Sequence, residues 1–346
     1  MIKLAKLNTL AAVSAACAAL FGATSANAYV YGVSHLKVQD LAIAVLNAND
    51  GSLTSTAQGY TFNQANTAVI NSAGGAFTSA ACNGNAALGT TNCGAGPVLD
   101  AGVAIAGGST VGRAQNDFSF VGTNQLQTYS HSDSVINSAQ LVGGVPTNLE
   151  QIAESLLNTN GSAQANVEQQ SNTTLQTTIV VGGGSNGSIL NLSFLADVDQ
   201  RSQIDGSAGA YLSQTNSNVT FTLTRSGDDG GGSVSWSPQG TAGNNCDVSG
   251  LLAGVTCIET ADGADLNFNT STSNNPSAHD NSFDVGDVFA SFGIRIFGLG
   301  AGTYTLALNA VSSTSIVREV PEPDALALLG VALAGLALTT RRRKQA

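Results

Sequence analysis

The residues best equipped for chemistry in this chain are carboxylates. Asp197 and Asp199 close an alternating apolar run, Asp228 and Asp229 fall in a glycine-rich turn, and Asp284 and Asp287 flank Gly286. Carboxylates at turns, joined by backbone carbonyls, supply the roughly six to eight hard oxygens that Ca²⁺ takes. Against this, the chain has no EF-hand loop and no Gly-Gly-x-Gly-x-Asp repeat, and aspartate in turns also satisfies local backbone donors. No cofactor is expected, with Ca²⁺ at these six aspartates as the alternative. The three histidines, His35, His131 and His279, read as parts of solvated polar loops. His131-Ser132-Asp133 contains the residue types of a hydrolase triad, but three adjacent residues do not converge as a triad must. Gly182-x-Gly184-x-x-Gly187 has the letters of a dinucleotide-binding loop, which should continue into a helix. Instead Leu190, Leu192, Phe194, Ala196 and Val198 alternate as a strand, so a hairpin turn is expected there. A carboxylate-pair glycosidase is chemically conceivable, but nothing singles out an acid with a raised pKa. Trp236, with Tyr60, Tyr129 and Tyr211, has the chemistry to stack on a sugar, although burial is the favoured reading. The expectation is that the protein is not an enzyme.

The elements that would position these groups are strands. The chain of 346 residues is 42% apolar but only 5% aromatic and 10% charged, with 40 glycines. That composition suits a folded body of short strands and polar turns. Twelve basic residues face 23 acidic ones for a net charge of −11, which excludes a nucleic-acid partner. Leu175 to Val181, Leu190 to Val198, Val219 to Leu223 and Val285 to Phe297 read as strands, with Gly298 to Gly302 as a turn. Phe118 and Phe120, with Leu126, mark a first strand pair. Leu149 to Asn158 reads as one short helix, with Leu149, Ile152, Ala153, Leu156 and Leu157 on one face and Asn148 as its cap. The fold class expected is mainly β, an antiparallel β-sandwich or jelly-roll-like body. Residues 29–114 are expected to form a weakly patterned lobe rich in Gly, Ala and Asn, and residues 115–319 the sandwich proper.

Four cysteines lie beyond the first apolar segment, an even number that suits an exported protein. Cys82 and Cys93 are close in sequence, as are Cys246 and Cys257, and the intervening loops are rich in Gly and Asn. Two local disulfides, Cys82–Cys93 and Cys246–Cys257, are expected.

Both ends carry processing signals. Lys3 and Lys6 precede an apolar run from Leu10 to Phe21, and Ala26-Asn27-Ala28 offers signal peptidase a cut before Tyr29; residues 1–28 form a secretory signal peptide. At the other end, Pro321-Glu322-Pro323 precedes the apolar stretch Ala325 to Thr340, closed by Arg341, Arg342, Arg343 and Lys344. Such a stretch makes a short membrane helix, and its basic end stays cytoplasmic. This three-part order resembles the PEP-CTERM sorting signal of exosortase substrates, over Val320 to Ala346. The resemblance implies recognition of Pro321-Glu322-Pro323 by an exosortase, transient anchoring in the inner membrane of a Gram-negative cell, and removal or transfer of the tail. It also implies a role beside exopolysaccharide in a biofilm or floc, on the cell surface or in the extracellular matrix. The leading expectation is a structural or adhesive surface protein. The alternatives are a calcium-assisted glycan-binding or adhesion module and, third, a secreted hydrolase.

Overall fold

Alternation sets the architecture. Long stretches place an apolar or small polar residue at every second position, and that period puts one face of a strand inward. The computed structural model describes residues 29–319, apart from 56, 72–74, 86–89, 92, 94–97, 108–110, 126, 143–144, 159–164, 183–185, 206–209, 228–231, 242–245, 251–253, 274–279 and 285–287. The signal-peptide residues Ala26 and Ala28 lie outside the described residues, as do Pro321, Glu322, Pro323 and the tail through Arg341, Arg342, Arg343 and Lys344. Among the described residues no helix is long and apolar enough to cross a membrane.

The strands in chain order begin with β1 (Tyr29–Asn47), β2 (Leu53–Ser55), β3 (Ala57–Asn71), β4 (Ala76–Asn85), β5 (Thr90–Thr91), β6 (Val98–Asp100) and β7 (Ala104–Gly107). The middle of the chain forms β8 (Tyr129–Val142), β9 (Val145–Asn158), β10 (Ala165–Val181), β11 (Ser188–Asp205) and β12 (Ala210–Ser226). The last third forms β13 (Ser233–Trp236), β14 (Cys246–Ser249), β15 (Thr256–Asp262), β16 (Asn269–Ser273), β17 (Asp280–Asp284), β18 (Ala290–Leu299) and β19 (Gly302–Glu319).

They make two antiparallel sheets laid face to face. The ten-stranded sheet runs β15-β18-β11-β1-β9-β8-β6, with β17 beside β11, β2 beside β1 and β7 beside β8. The nine-stranded sheet runs β14-β13-β12-β19-β10-β3-β4-β5, with β16 beside β12. Residues before 115 do not form a lobe of their own. β1 lies between β9 and β11, and β3 lies between β10 and β4, so both sheets are completed by the N-terminal strands. The Gly182–Gly187 segment also differs from expectation. It leads from β10 in one sheet to β11 in the other, so it is a crossover between sheets and not a hairpin.

The expected helix at 149–158 is the strand β9. Every residue from Gln151 to Leu157 is buried. Leu149, Ala153 and Leu157 face the opposing sheet, while Ile152 and Leu156 are covered on the outer face by the segment 111–125. A strand buried on both faces loses its period-2 signature, and the remaining spacing imitated a helix. Phe118 and Phe120 are not in a strand either; they belong to that covering segment.

The interior has two apolar ends. The larger holds Leu36, Leu192, Leu306 and Leu308 around an aromatic group in which Phe194 stands 5.1 Å from Phe221, 5.9 Å from Trp236 and 5.0 Å from Phe292. The smaller holds Val30, Ile204, Tyr211 and Ile316. Between them lies a buried polar belt that ties sheet to sheet. Ser155 Oγ is 2.8 Å from Thr314 Oγ1, Ser202 Oγ is 2.8 Å from Thr270 Oγ1, and Ser213 Oγ donates to the Tyr31 carbonyl at 2.6 Å. Buried hydroxyls cost little when so paired.

Both disulfides form as expected, Cys82–Cys93 and Cys246–Cys257. The second joins β14 to β15, the edge strands of opposite sheets. The first joins β4 to the connection between β5 and β6, which again passes from one sheet's edge to the other's. Each open side of the sandwich is therefore stapled. At one end of the sandwich Tyr29 pairs with Asp205 and Asn158, and Glu319 pairs with Ala210. A short connection links Asp205 to Ala210, so the described chain enters and leaves at the same end.

Candidate ligand-binding face

The outer face of the ten-stranded sheet carries nearly all the chemistry. On β1, Leu36 and Val38 point into the core, which turns His35 and Lys37 outward. Register then places His35 between Asp199 on β11 and Ile152 on β9, and Lys37 between Asp197 and Glu150. β17 adds Asp284 opposite Asp199. The result is a row of charged side chains across four neighbouring strands.

His35 is the hinge of this row. Its Nε2 lies 2.9 Å from Glu150 Oε1, and its Nδ1 lies 3.5 Å from Asp199 Oδ2. Burial alone would lower its pKa, but the hydrogen bonds and charges of Asp199 and Glu150 outweigh burial and raise it to about 9. The ring is therefore an imidazolium at neutral pH, donating to a carboxylate on each side. Phe118 stacks on it with ring centres 6.3 Å apart, and Phe120 meets it edge-on at 5.9 Å. Lys37 Nζ stands 4.0 Å from Glu150 Oε2 and 5.8 Å from the centre of the Phe289 ring.

Three of the six sequence-identified aspartates converge. Carboxylate oxygens of Asp197, Asp199 and Asp284 all lie within 4.8 Å of one another. Asp197 is shifted upward by burial and by the charges of Asp199 and Asp284, with His35 and Lys37 pulling the other way. Asp228, Asp229 and Asp287 lie outside the described residues. The three carboxylates are oxygen ligands of the kind Ca²⁺ prefers, yet His35 and Lys37 already neutralise part of their charge.

Above the neighbouring strands β8 and β9 runs the covering segment, pinned by buried carboxylates. Glu154, fully buried, accepts from Tyr31 Oη at 2.7 Å, Tyr129 Oη at 3.0 Å, His131 Nε2 at 2.6 Å, Val121 N at 3.0 Å and Gly122 N at 2.7 Å. Burial pushes the Glu154 pKa up, but His131 and the two backbone N–H groups outweigh it and bring it down to about 2. Asp133 accepts from Asn116 N and Ser134 N, each at 2.8 Å. Burial raises its pKa to about 6, against those two bonds. Arg113 closes the segment on itself through the carbonyls of Asp117 and Ser119.

His131 and His35 are therefore not loop residues. Both sit in strands, where alternation gives them one face and their apolar or hydroxyl neighbours the other. His131 and Asp133 face outward, while Ser132 faces inward and donates to the Thr67 carbonyl at 3.1 Å. His279 lies outside the described residues. Trp236, Tyr60, Tyr129 and Tyr211 are all buried, and Trp236 Nε1 donates to Glu259 Oε1 at 2.8 Å.

Among the described residues, hollows open on the outer face of each sheet. One, of about 380 Å³, lies where the covering segment meets β1, β8 and β9, and is lined by Lys37, Glu150, Asn116, Asn137, Asn148 and Phe118 among others. Sequence reading missed this site. Its only advance signal was the His35-x-Lys37 alternation with Leu36 and Val38. The other hollow, of about 500 Å³, lies on the nine-stranded sheet among Ser313, Ser315, Asn216 and Asn269, without a charged or aromatic residue among its described lining.

No curated protein and no solved structure matches the chain. Residues 319–343, beginning at the last residue of β19, match the PEP-CTERM protein-sorting motif and mark the chain as an exosortase-targeted exported protein with a membrane-anchored sorting signal.

Proposed function

We propose that this is a cell-surface or extracellular-matrix protein with a structural or adhesive role in a polysaccharide-rich envelope or biofilm, and without catalytic activity. The observation that carries the reading is the sorting motif at 319–343 on a disulfide-stapled β-sandwich. Disulfides persist in oxidising compartments outside the cytoplasm. The acid and base Glu154 and His131, 2.6 Å apart, are sealed from solvent and serve to hold the covering segment.

In this reading signal peptidase cuts before Tyr29, and Ala325 to Thr340 holds the folded body at the inner membrane of a Gram-negative cell. Exosortase then acts at Pro321-Glu322-Pro323. Mass spectrometry of surface material should find a protein beginning at Tyr29 and lacking Arg341 to Lys344; an intact tail on the mature protein would refute processing. A strain lacking the gene and a strain lacking only Val320 to Ala346 should share one defect in biofilm or floc. Normal growth of both structures would remove the matrix role.

The convergence of Asp197, Asp199 and Asp284 favours a second reading, a calcium-assisted adhesion or glycan-binding module. Calorimetric titration with Ca²⁺ should then give a saturable heat that Asp199→Asn abolishes. An absence of heat would discard it.

A further inference from the structure

We propose that the hollow between the covering segment and β1, β8 and β9 binds an uncharged saccharide, with no metal ion required. The inference rests on the adhesive reading above and assigns it a place and a ligand class.

The lining has the composition that sugar hydroxyls require. Asn116 and Asn148 bring amides to the lining: Asn116 Nδ2 donates to Asp100 Oδ2 at 3.2 Å and Asn148 Oδ1 accepts from Asp40 N–H, and an amide has two N–H donors and two acceptor lone pairs, so one such bond does not exhaust either group. Glu150 and Lys37 add a strong acceptor and a strong donor side by side, their charges balancing. Phe118 supplies an apolar wall, and Phe120, 46% exposed and outside the lining, meets the same His35 ring as Phe118. An apolar wall with converging polar groups, in a volume of about 380 Å³, falls in the range of small-molecule sites, ~300–1,000 Å³. The balanced charge and the acidic body disfavour a polyanion.

Backbone strain gives independent support. Among the described residues, two that are not glycine have left-handed φ: Asp40 at 54° and Asn116 at 61°. Both border this hollow. Asn116 lines it, and Asp40 follows the lining residue Gln39 at the bulge in β1, its N–H donating to Asn148 Oδ1 at 3.4 Å. Such conformations are unfavourable and persist where the surroundings over-determine them, as at ligand clamps. Here the clamp is visible. Asp133 holds Asn116 N, and Glu154 holds Val121 and Gly122, so the wall carrying Phe118 is fixed in place before any ligand arrives. Preorganisation of this kind lowers the ordering cost of binding.

The test is saturation-transfer NMR on the full chain in detergent, with soluble cello-, laminari-, manno- and galacto-oligosaccharides as probes and oligouronates as the charged control. At least one neutral probe should receive saturation, with and without a chelator, and its affinity should change little with salt. Glu150→Gln and Phe118→Ala should each weaken it about tenfold or more, while Asn216→Ala, in the other hollow, should leave it unchanged. Glu150→Gln is nearly isosteric, so a folding defect in Phe118→Ala, visible by circular dichroism, leaves the test intact. No saturation of any neutral probe, loss of transfer on chelation, a preference for oligouronates, or sensitivity only to Asn216→Ala would each overturn the proposal. If tail processing is normal while no probe binds, the cleft's role fails and the sorting stands. Binding without tail processing would show the reverse.

Discussion

Glu154 holds the covering segment to the sheet, and replacing it tests that assignment directly. In Glu154→Gln the shape is kept, but one carboxylate oxygen becomes an NH₂ group. Five donors converge on this carboxylate, three on Oε1 and two on Oε2. At least two of them must lose their acceptor, and each buried donor left unpaired costs about 1–3 kcal/mol. We therefore expect a loss of about 4 kcal/mol and a fall in Tm of roughly ten degrees, read by circular dichroism. The Val121 and Gly122 amides should also lose protection in hydrogen exchange. The pH dependence has a definite sign. The folded pKa of Glu154 is about 2 against an ordinary value of 4.5, so its contribution is complete above 4.5 and disappears as pH falls toward 2. The variant should show a flatter acid limb. A fall in Tm under about two degrees, or unchanged protection at Val121 and Gly122, would refute the role given to Glu154.

His35, raised from 6.5 to about 9, contributes stability that is complete below pH 6.5 and lost as pH rises through 9. At ~1.4 kcal/mol per pKa unit, His35→Gln should remove about 3 kcal/mol of alkaline-sensitive stability, and equal pH slopes in both proteins would contradict the ion pairs. Replacing Cys246 and Cys257 by alanine should cost about 3 kcal/mol by loop closure and expose the β14–β15 edge to limited proteolysis; unchanged cleavage there would contradict the staple. At Gly240, φ is +65° and an added Cβ would meet Asp265 N at 2.5 Å, whereas at Gly51, φ is +69° with open space around it. Gly240→Ala should therefore destabilise clearly more than Gly51→Ala, whose cost is limited to about 1 kcal/mol of backbone strain, and equal thermal shifts would reject the close approach.

Strands with one face on the core announced themselves. β11 alternates over nearly its whole length, and Leu190 to Val198 was legible for that reason. β9 was not, because the covering segment buries its second face and erases the alternation. The same segment was misread, since Phe118 and Phe120 alternate while lying flat on a sheet and not within one. Asp197 and Asp199 were legible as ligand-type residues, but their meeting with Asp284 depends on the β11–β17 pairing, which no local pattern encodes. Glu150 was hidden by the helix reading of its neighbours. Lone histidines carry little information until a strand register gives them partners.

The placement of β19 has a mechanical consequence. It lies between β10 and β12 and pairs with both along nearly all its length. A pull on Glu319 along the strand axis would load these ladders together, in shear, because their hydrogen bonds stand perpendicular to the strand. A strand at a sheet edge, drawn sideways, would instead open one bond at a time. With Tyr29 leaving at the same end, the body has one attachment end and a free far end formed by the turns at 48–52 and 300–301. For a protein tethered through its C-terminus, resistance to drag would thus reside in the strand that continues into the tether.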